Sequence, residues 1–292
     1  MIRNTTDSSA AAPALRCYLN LGNLGALPAW STAPRGDNAA VAAAIKAAGY
    51  DGIQCGEAEA ASARAIGLGI AAGARFNAPA EIEPAVAKWK DAGFECATAH
   101  LLWGLEDDAT VDALVGALLN VSAKHDFPIY IETHRATITQ DIWRTVQLVK
   151  RHPDVRFNGD FSHWYTGHEM RYGDFDAKLE LIQPVFDRVR FIHGRIGSDG
   201  CMQVDIGDGK GRSFVDDFRQ FWTRSFAGFL KSAKPGDYIT FAPELLGPPS
   251  YARTFPGPDG QPREESDRWQ QALLYCEIAR ACFAAARQSI AR

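Results

Sequence analysis

From Cys17 onward, short apolar runs alternate with longer stretches in which apolar residues recur every three or four positions, as parallel strands covered by helices require. The runs predict eight strands, at residues 17–22 (CYLNLG), 51–55 (DGIQC), 69–75 (GIAAGAR), 96–102 (CATAHLL), 128–133 (PIYIET), 155–160 (VRFNGD), 189–194 (VRFIHG) and 238–244 (YITFAPE). Between them lie helical stripes such as Val111, Leu114, Val115 and Leu118, or Ile142, Val146 and Val149. Eight strand and helix units predict an α/β fold, a single-domain (β/α)8 barrel over residues 16–292, with residues 1–15 as a flexible leader. The last segment puts Trp269, Leu273, Cys276, Ala279, Phe283 and Ala286 on one stripe, which predicts a long C-terminal helix capped by Ser266. Such a helix either closes the outside of the barrel or pairs two subunits as a homodimer.

Glycines crowd residues 194–213, after the seventh predicted strand, and this segment is expected to act as a lid. Its Gly209-Lys210-Gly211 is not a phosphate loop, because that motif places Ser or Thr directly after the Lys. No cluster of Lys and Arg near the strand ends speaks for a phosphate group.

A chain of 292 residues with 46% hydrophobic content can bury a core of this size. The formal net charge of -4 carries no electrostatic footprint for nucleic acid, so a small sugar or polyol is the expected partner. Six cysteines without a C-x-x-C pair read as buried small apolar residues in a reducing compartment. The first fifteen residues lack the apolar stretch of a secretory signal, and no run approaches the roughly 18 apolar residues of a membrane span. The expectation is a soluble, cytoplasmic protein that touches no membrane.

Parallel barrels carry their chemistry at the C-terminal ends of the strands. Four successive predicted strands end in Glu132-Thr133-His134, Asp160-Phe161-Ser162-His163, His193-Gly194-Arg195 and Pro243-Glu244. Barrel closure makes those ends converge, and three carboxylates brought together without a cation would repel one another and resist desolvation. Glu132, Asp160, His193 and Glu244 are therefore the candidate ligands of one divalent metal, with Mn2+ favoured and Mg2+, Co2+ or Zn2+ compatible.

The ordered set Glu132, Asp160-x-x-His163, His193-Gly194-Arg195 and Glu244, with Gly247-Pro248-Pro249-Ser250-Tyr251 after it, resembles the xylose-isomerase-like TIM barrels. That group includes sugar epimerases, inosose dehydratases and an endonuclease branch, and the likeness runs over nearly the whole chain after Cys17. The resemblance implies the same four metal ligands, with His163 and Arg195 touching substrate hydroxyls. The endonuclease branch needs extra histidines at the end of the third strand, where this chain reads Ala74-Arg75-Phe76-Asn77, and an Asp-x-His in the loop that here reads Cys201-Met202-Gln203-Val204. Only His100 could answer to a ligand of that larger cluster, and it is expected to line the pocket instead.

A metal ion that chelates a carbonyl and the neighbouring hydroxyl makes the adjacent C-H acidic, and Glu132 and Glu244 are the expected catalytic pair on the resulting enediolate. His100, His134, His163, Trp164 and Arg195 are the expected substrate-binding residues, and Trp103 and Phe76 further candidates for stacking on a sugar. The leading expectation is a metal-dependent isomerase or epimerase of a sugar or keto-sugar. Expulsion of a β leaving group by the same apparatus gives a lyase, either a dehydratase or an eliminating deglycosidase, on a keto-sugar or cyclitol. A non-catalytic sugar-binding barrel is the third possibility.

Overall fold

Each predicted apolar run forms a strand, and the stripes between them form the covering helices. The computed structural model describes residues 2–290. In chain order it contains β1 (Thr5–Thr6), β2 (Ala14–Asn20), α1 (Asn38–Ala47), β3 (Gly52–Gln54), α2 (Glu57–Ala65), β4 (Gly69–Phe76), α3 (Ile82–Ala92), β5 (Cys96–Leu101), α4 (Asp108–His125) and β6 (Ile129–Glu132). There follow α5 (Ile142–Arg151), β7 (Phe157–Asn158), α6 (Ser162–Gly167), α7 (Phe175–Phe186), β8 (Val189–Gly194), α8 (Ser213–Leu230), β9 (Asp237–Pro243), a β10 (Thr254–Pro256) and β11 (Pro262–Glu264) hairpin, and α9 (Arg268–Ile290).

Strands β2 to β9 are parallel and pair in sequence order, and β9 returns to β2, with Leu15 opposite Ile239, to close the barrel. This is the expected (β/α)8 TIM barrel. Aspartates supply the helix entries: the side chains of Asp37, Asp107, Asp141 and Asp174 accept from backbone N–H groups of α1, α4, α5 and α7. The predicted stripes on α4 and α5 face inward, with Val111, Leu114, Val115, Leu118, Ile142, Val146 and Val149 all buried.

Helix α9 packs against α8 and behind β2 and β9, with Ala272, Tyr275, Ala279 and Ala286 fully buried, so it covers the barrel wall. Its cap differs from the expected Ser266. Asp267 accepts from Trp269 N at 3.0 Å and also holds the loop after β2, through Thr32 N at 2.7 Å, Thr32 Oγ1 at 2.7 Å and Ser31 Oγ at 3.0 Å. A carboxylate with two oxygens can serve helix and loop together, which one serine hydroxyl cannot.

Two further expectations are corrected. The first fifteen residues are not a free leader where they are described: Thr5 and Thr6 pair antiparallel with Tyr238 and Asp237, and Ile2 is buried. The reason is polar. The Tyr130 hydroxyl inside the barrel meets Thr5 Oγ1 at 2.7 Å, and Arg190 Nε donates to Asn4 Oδ1 at 2.6 Å, so this segment completes groups the barrel floor would otherwise leave unpaired. Residues 1, 291 and 292 of the expected spans lie outside the described residues.

The glycine-rich segment after β8 is not a lid. Ile196, Met202, Val204 and Ile206 are buried, Val204 N donates to Ile196 O at 3.2 Å, and Ile206 N donates to Gln271 Oε1 on α9 at 3.1 Å. Buried apolar side chains fasten it as a wall, and the residues over the barrel mouth come instead from the loop after β9.

The cysteines are free, with Cys17, Cys96, Cys276 and Cys282 buried. Among the described residues no helix is long and apolar enough to cross a membrane.

The Asp267 clasp yields a test. Burial works against its charge, but the donors from Thr32, Ser31 and Trp269 outweigh it and lower its pKa. Its stabilisation is therefore complete above the unfolded aspartate value of about 4 and fades as pH falls through the lower folded value. Asp267→Ala should cost about 1–2 kcal/mol in urea unfolding at neutral pH, with the difference from the parent narrowing in acid.

Candidate metal centre

The C-terminal mouth of the barrel gathers the four predicted ligands. Glu132 ends β6, Asp160 lies two residues past β7, His193 is in β8, and Glu244 directly follows β9. One ligand atom from each lies within 4.8 Å of all the others. The ladder fixes this: His193 is opposite Ala242, Gly194 is opposite Pro243, and Glu244 N donates to Gly194 O at 3.0 Å.

Each ligand is held by neighbouring groups, and Asp160 and His193 each keep one atom without a hydrogen-bond partner. Asp160 Oδ1 accepts from Ser162 Oγ at 2.5 Å and Ser162 N at 3.1 Å, while Oδ2 is buried without a hydrogen-bond partner. His193 Nε2 lies 2.7 Å from Gln54 Oε1. Gln54 Nε2 donates to Thr98 Oγ1 at 2.9 Å and to Ala72 O at 3.4 Å, so Oε1 is the acceptor and His193 carries its proton on Nε2. Nδ1 then faces Glu132 Oε2 at 3.1 Å and Glu244 Oε2 at 3.6 Å, and it is the nitrogen from which a bound cation would displace the proton that those carboxylates favour.

Glycine at 73 leaves room for this arrangement, since a Cβ there would stand 3.3 Å from Gln54 Nε2. Asn158 Nδ2 donates to Glu132 Oε2 at 3.0 Å, and Asn158 Oδ1 accepts from His193 N at 2.9 Å. Asn20 Nδ2 bridges Gln54 Oε1 at 3.1 Å and Glu244 Oε1 at 2.9 Å.

The electrostatics show what this cluster lacks. Burial, reinforced by Glu244 and Glu132, pushes Asp160 up to about 6 even with Arg195 nearby. Burial opposes a charge on His193, yet Glu244 and Glu132 drive it up to about 9. Glu132 is held well below the usual range, against its burial, by His193 and His100. Three buried carboxylates thus draw in whatever positive charge is available. An orphaned carboxylate oxygen and an imidazole nitrogen turned toward two more carboxylates make a donor set that fits a divalent cation.

The remaining predicted site residues divide. His100 lines the mouth, but its Nε2 lies 3.0 Å from Glu132 Oε1, which makes it a support of that carboxylate. His134 stacks between His100 at 4.3 Å and His163 at 3.8 Å between ring centroids. His134 Nδ1 accepts from Ala136 N at 3.0 Å, leaving Nε2 as the protonated nitrogen. His163 is buried with neither nitrogen bonded, its Nε2 lying 3.5 Å from Asp160 Oδ2. Arg195 pairs with Glu244 Oε2 and stands 3.6 Å from Asp160 Oδ2, so it touches the candidate ligands themselves.

Trp164 does not line the site. It is fully buried and its Nε1 donates to Thr139 O at 2.7 Å, because the first turn of α6 directs it into the wall beside Phe161. Phe76 is likewise buried against Trp89. Trp103 stays exposed at the rim, with the Arg75 guanidinium 4.0 Å from its ring centroid.

Sequence reasoning missed Asn20, Gln54 and Asn158. Each is a carboxamide at the C-terminal end of a strand, directly after an apolar residue, and that position was the available signal. It also missed Arg75, whose Nη2 lies 3.3 Å from His100 Nδ1.

Two adjoining cavities open on the cluster and share His100, Glu132 and Glu244. One, of about 450 Å3, reaches toward Asn20, Gln54 and Gly73; the other, of about 360 Å3, is walled by His134, Arg195, Ser250 and Tyr251. A larger cavity of about 530 Å3 lies at the opposite end of the barrel, among Arg16, Asp51 and Arg64. Its charged groups already have partners: Arg16 pairs with Asp7, Arg64 with Ala92 O, and Asp51 with Cys17 N. Size alone therefore does not mark the functional end.

No protein-family model and no curated protein sequence matches this chain. Among solved structures, a D-tagatose 3-epimerase-like protein is similar at 10% identity, with a TM-score of 0.56 over 94% of this chain and 99% of that one. A xylose isomerase-like TIM barrel protein from Mycobacterium smegmatis, solved in complex with magnesium, is 12% identical, with a TM-score of 0.57 over 94% and 99%. The probable 3-DHS dehydratase AsbF involved in petrobactin synthesis, from Bacillus anthracis, is 14% identical, with a TM-score of 0.53 over 90% and 97%. These likenesses, spanning nearly all of each chain, establish that this protein shares the TIM-barrel fold of those structures.

Proposed function

We propose that this protein is a divalent-metal-dependent isomerase or epimerase of a sugar or keto-sugar, working at the mouth of the barrel through Glu132 and Glu244. The observation that carries the reading is the convergence of three carboxylates and one Nδ1-exposed imidazole on a single point. Bound there, a divalent ion would polarise a carbonyl oxygen and stabilise the charge that develops when the neighbouring C–H is lost, and Mn2+ or Mg2+ suits so oxygen-rich a set.

The protein's own groups supply the proton chemistry. Glu132 is ionised and oriented by His100 Nε2 on one oxygen and Asn158 Nδ2 on the other, so it cannot rotate away from a substrate beside it. Glu244, on a strand not adjacent to β6, is the more exposed of the two, with a side-chain exposure of 16% against 4%. One glutamate takes the proton and the other returns it, which inverts the carbon; return to the neighbouring carbon interconverts aldose and ketose. Burial, with the nearby His100, Arg195 and Arg75, pulls His134 down to about 3, and His163 is also held well below its usual value by burial and by His134. Both are neutral imidazoles that bind substrate hydroxyls without titrating at working pH.

A second reading has its own support. The wall of His134 and Arg195 offers hydrogen-bond donors where an oxygen leaving from the carbon β to the carbonyl would need them. The same apparatus then becomes a dehydratase or an eliminating deglycosidase.

Four outcomes test the proposal. Purified protein should carry about one divalent ion per chain by elemental analysis, and chelation should abolish activity. Incubated with manganese and keto-sugars in heavy water, it should place deuterium on the carbon beside the carbonyl, with loss of a leaving group only if the lyase reading holds. Glu132→Gln and Glu244→Gln should each slow this exchange by about 10²–10⁴-fold, and unchanged exchange in both variants would sink the assignment. Gln54→Ala removes no ligand, yet it frees the His193 tautomer and should weaken metal affinity by about tenfold to a hundredfold in a titration against a competing chelator.

A further inference from the structure

The cavity between Arg195 and Tyr251 is built differently from the one beside Gln54. Its walls beyond the shared glutamates present donors. Arg195 Nε donates to Glu244 O at 3.0 Å and Nη2 pairs with Glu244 Oε2, but Nη1 is buried without a partner in a residue only 1% exposed. His134 offers Nε2–H, because its Nδ1 already accepts from Ala136 N. Behind that wall His163, 1% exposed and stacked on His134, carries a proton on one of two nitrogens that both lack partners. Buried donors left unpaired cost free energy until an acceptor arrives.

Asp160 Oδ2 is the uncommitted carboxylate oxygen here, 3.6 Å from Arg195 Nη2 and 3.5 Å from His163 Nε2 without a hydrogen bond to either, and the glutamate oxygens all have partners. Glu132 Oε1 takes His100, its Oε2 takes Asn158, Glu244 Oε1 takes Asn20, and Glu244 Oε2 takes Arg195.

Charge points the same way. Barrel closure gathers arginines that the sequence scatters. The Arg195 and Arg135 guanidinium carbons lie 4.2 and 5.4 Å from the Tyr251 ring centroid, and Arg75 lies behind His100. These three cations stand against Glu132, Asp160 and Glu244, with Glu106 also acting on Arg75, so a divalent ion at the ligand cluster would leave the mouth net positive. A neutral sugar could pair these donors through its hydroxyl oxygens but would leave that surplus charge uncompensated.

We propose that the lobe lined by His134, Arg195, Ser250 and Tyr251 receives a carboxylate, so that the preferred substrate is a hydroxy-carbonyl acid, such as a uronate, rather than a neutral sugar. This rests on the metal-dependent reading above and narrows its substrate class. The planar edge of one guanidinium, joined by single N–H and O–H donors, matches the two coplanar oxygens of a carboxylate. Tyr251 keeps Arg195 in place by lying against its face, and Arg135 adds charge from the solvent side.

The test uses the ion-loaded full chain and three probes of one carbon skeleton: D-glucuronate, D-glucose and D-glucose 6-phosphate. Calorimetric titration should give the uronate about tenfold to a hundredfold tighter binding than the hexose. Arg195→Gln should erase that preference, and Arg135→Gln, at an exposed position away from the ligands, should reduce it. Equal affinity for uronate and hexose, or tighter binding of the phosphate ester, overturns the assignment.

The two proposals fail separately. Protein that holds its ion and exchanges protons on neutral ketoses, yet does not favour the acid, retires only the carboxylate lobe. Protein that favours the uronate through Arg195 but neither holds an ion nor exchanges protons supports the lobe and retires the reaction.

Discussion

The mutual repulsion of Glu132, Asp160 and Glu244 is the constraint around which the barrel mouth is arranged. Carboxylates resist both burial and one another, and a closed barrel imposes both on these three. The surroundings answer with fixed donors. Asn20 and Asn158 each hold one glutamate, Ser162 holds Asp160, and Arg195 bridges toward two of the three. What the donors leave over is an unpaired Asp160 oxygen and the unpartnered Nδ1 of His193. Rigid placement of those atoms, with the His193 ring oriented by Gln54, is the preparation that a metal position would need.

The two ends of the barrel handle polar groups in opposite ways. At the floor, Tyr130 and Arg190 are paired by the chain's own first residues, and β1 adds to the edge of β9. At the mouth, donors and acceptors stay unpaired around two joined cavities. Parallel barrels are expected to divide in this way, with stability built at the floor and chemistry at the mouth. The mouth is itself divided, because the His193 side is rich in acceptors and carboxamides while the Arg195 side offers donors. A substrate spanning both would be bound by unlike groups at its two ends, which orients it.

Much of this was legible in the order of residues. Strand positions followed from apolar runs and helix faces from three- and four-residue spacing, because both depend only on local geometry. The four candidate ligands were legible for a related reason: a polar residue at the end of a buried strand has one place to be, and four in succession must meet when the sheet closes. The leader, the supposed lid and Trp164 were misread because polar and glycine-rich composition looks the same whether or not the barrel has groups that need covering. Thr5 is held by Tyr130, far away in the chain, and no local signal announces such a partner.

By itself, then, the sequence determined the eight strands, the closure they imply and the set of acidic and imidazole groups at their ends. Tertiary structure alone decided which nitrogen of His193 faces the carboxylates, that His100 supports Glu132 instead of facing outward, and that Arg75, Arg135 and Arg195 surround the same mouth. The physical reason is distance along the chain. Periodicity and strand ends are properties of neighbours, whereas tautomers, ion pairs and local charge balance depend on residues from different strands, whose approach is set only when the barrel closes.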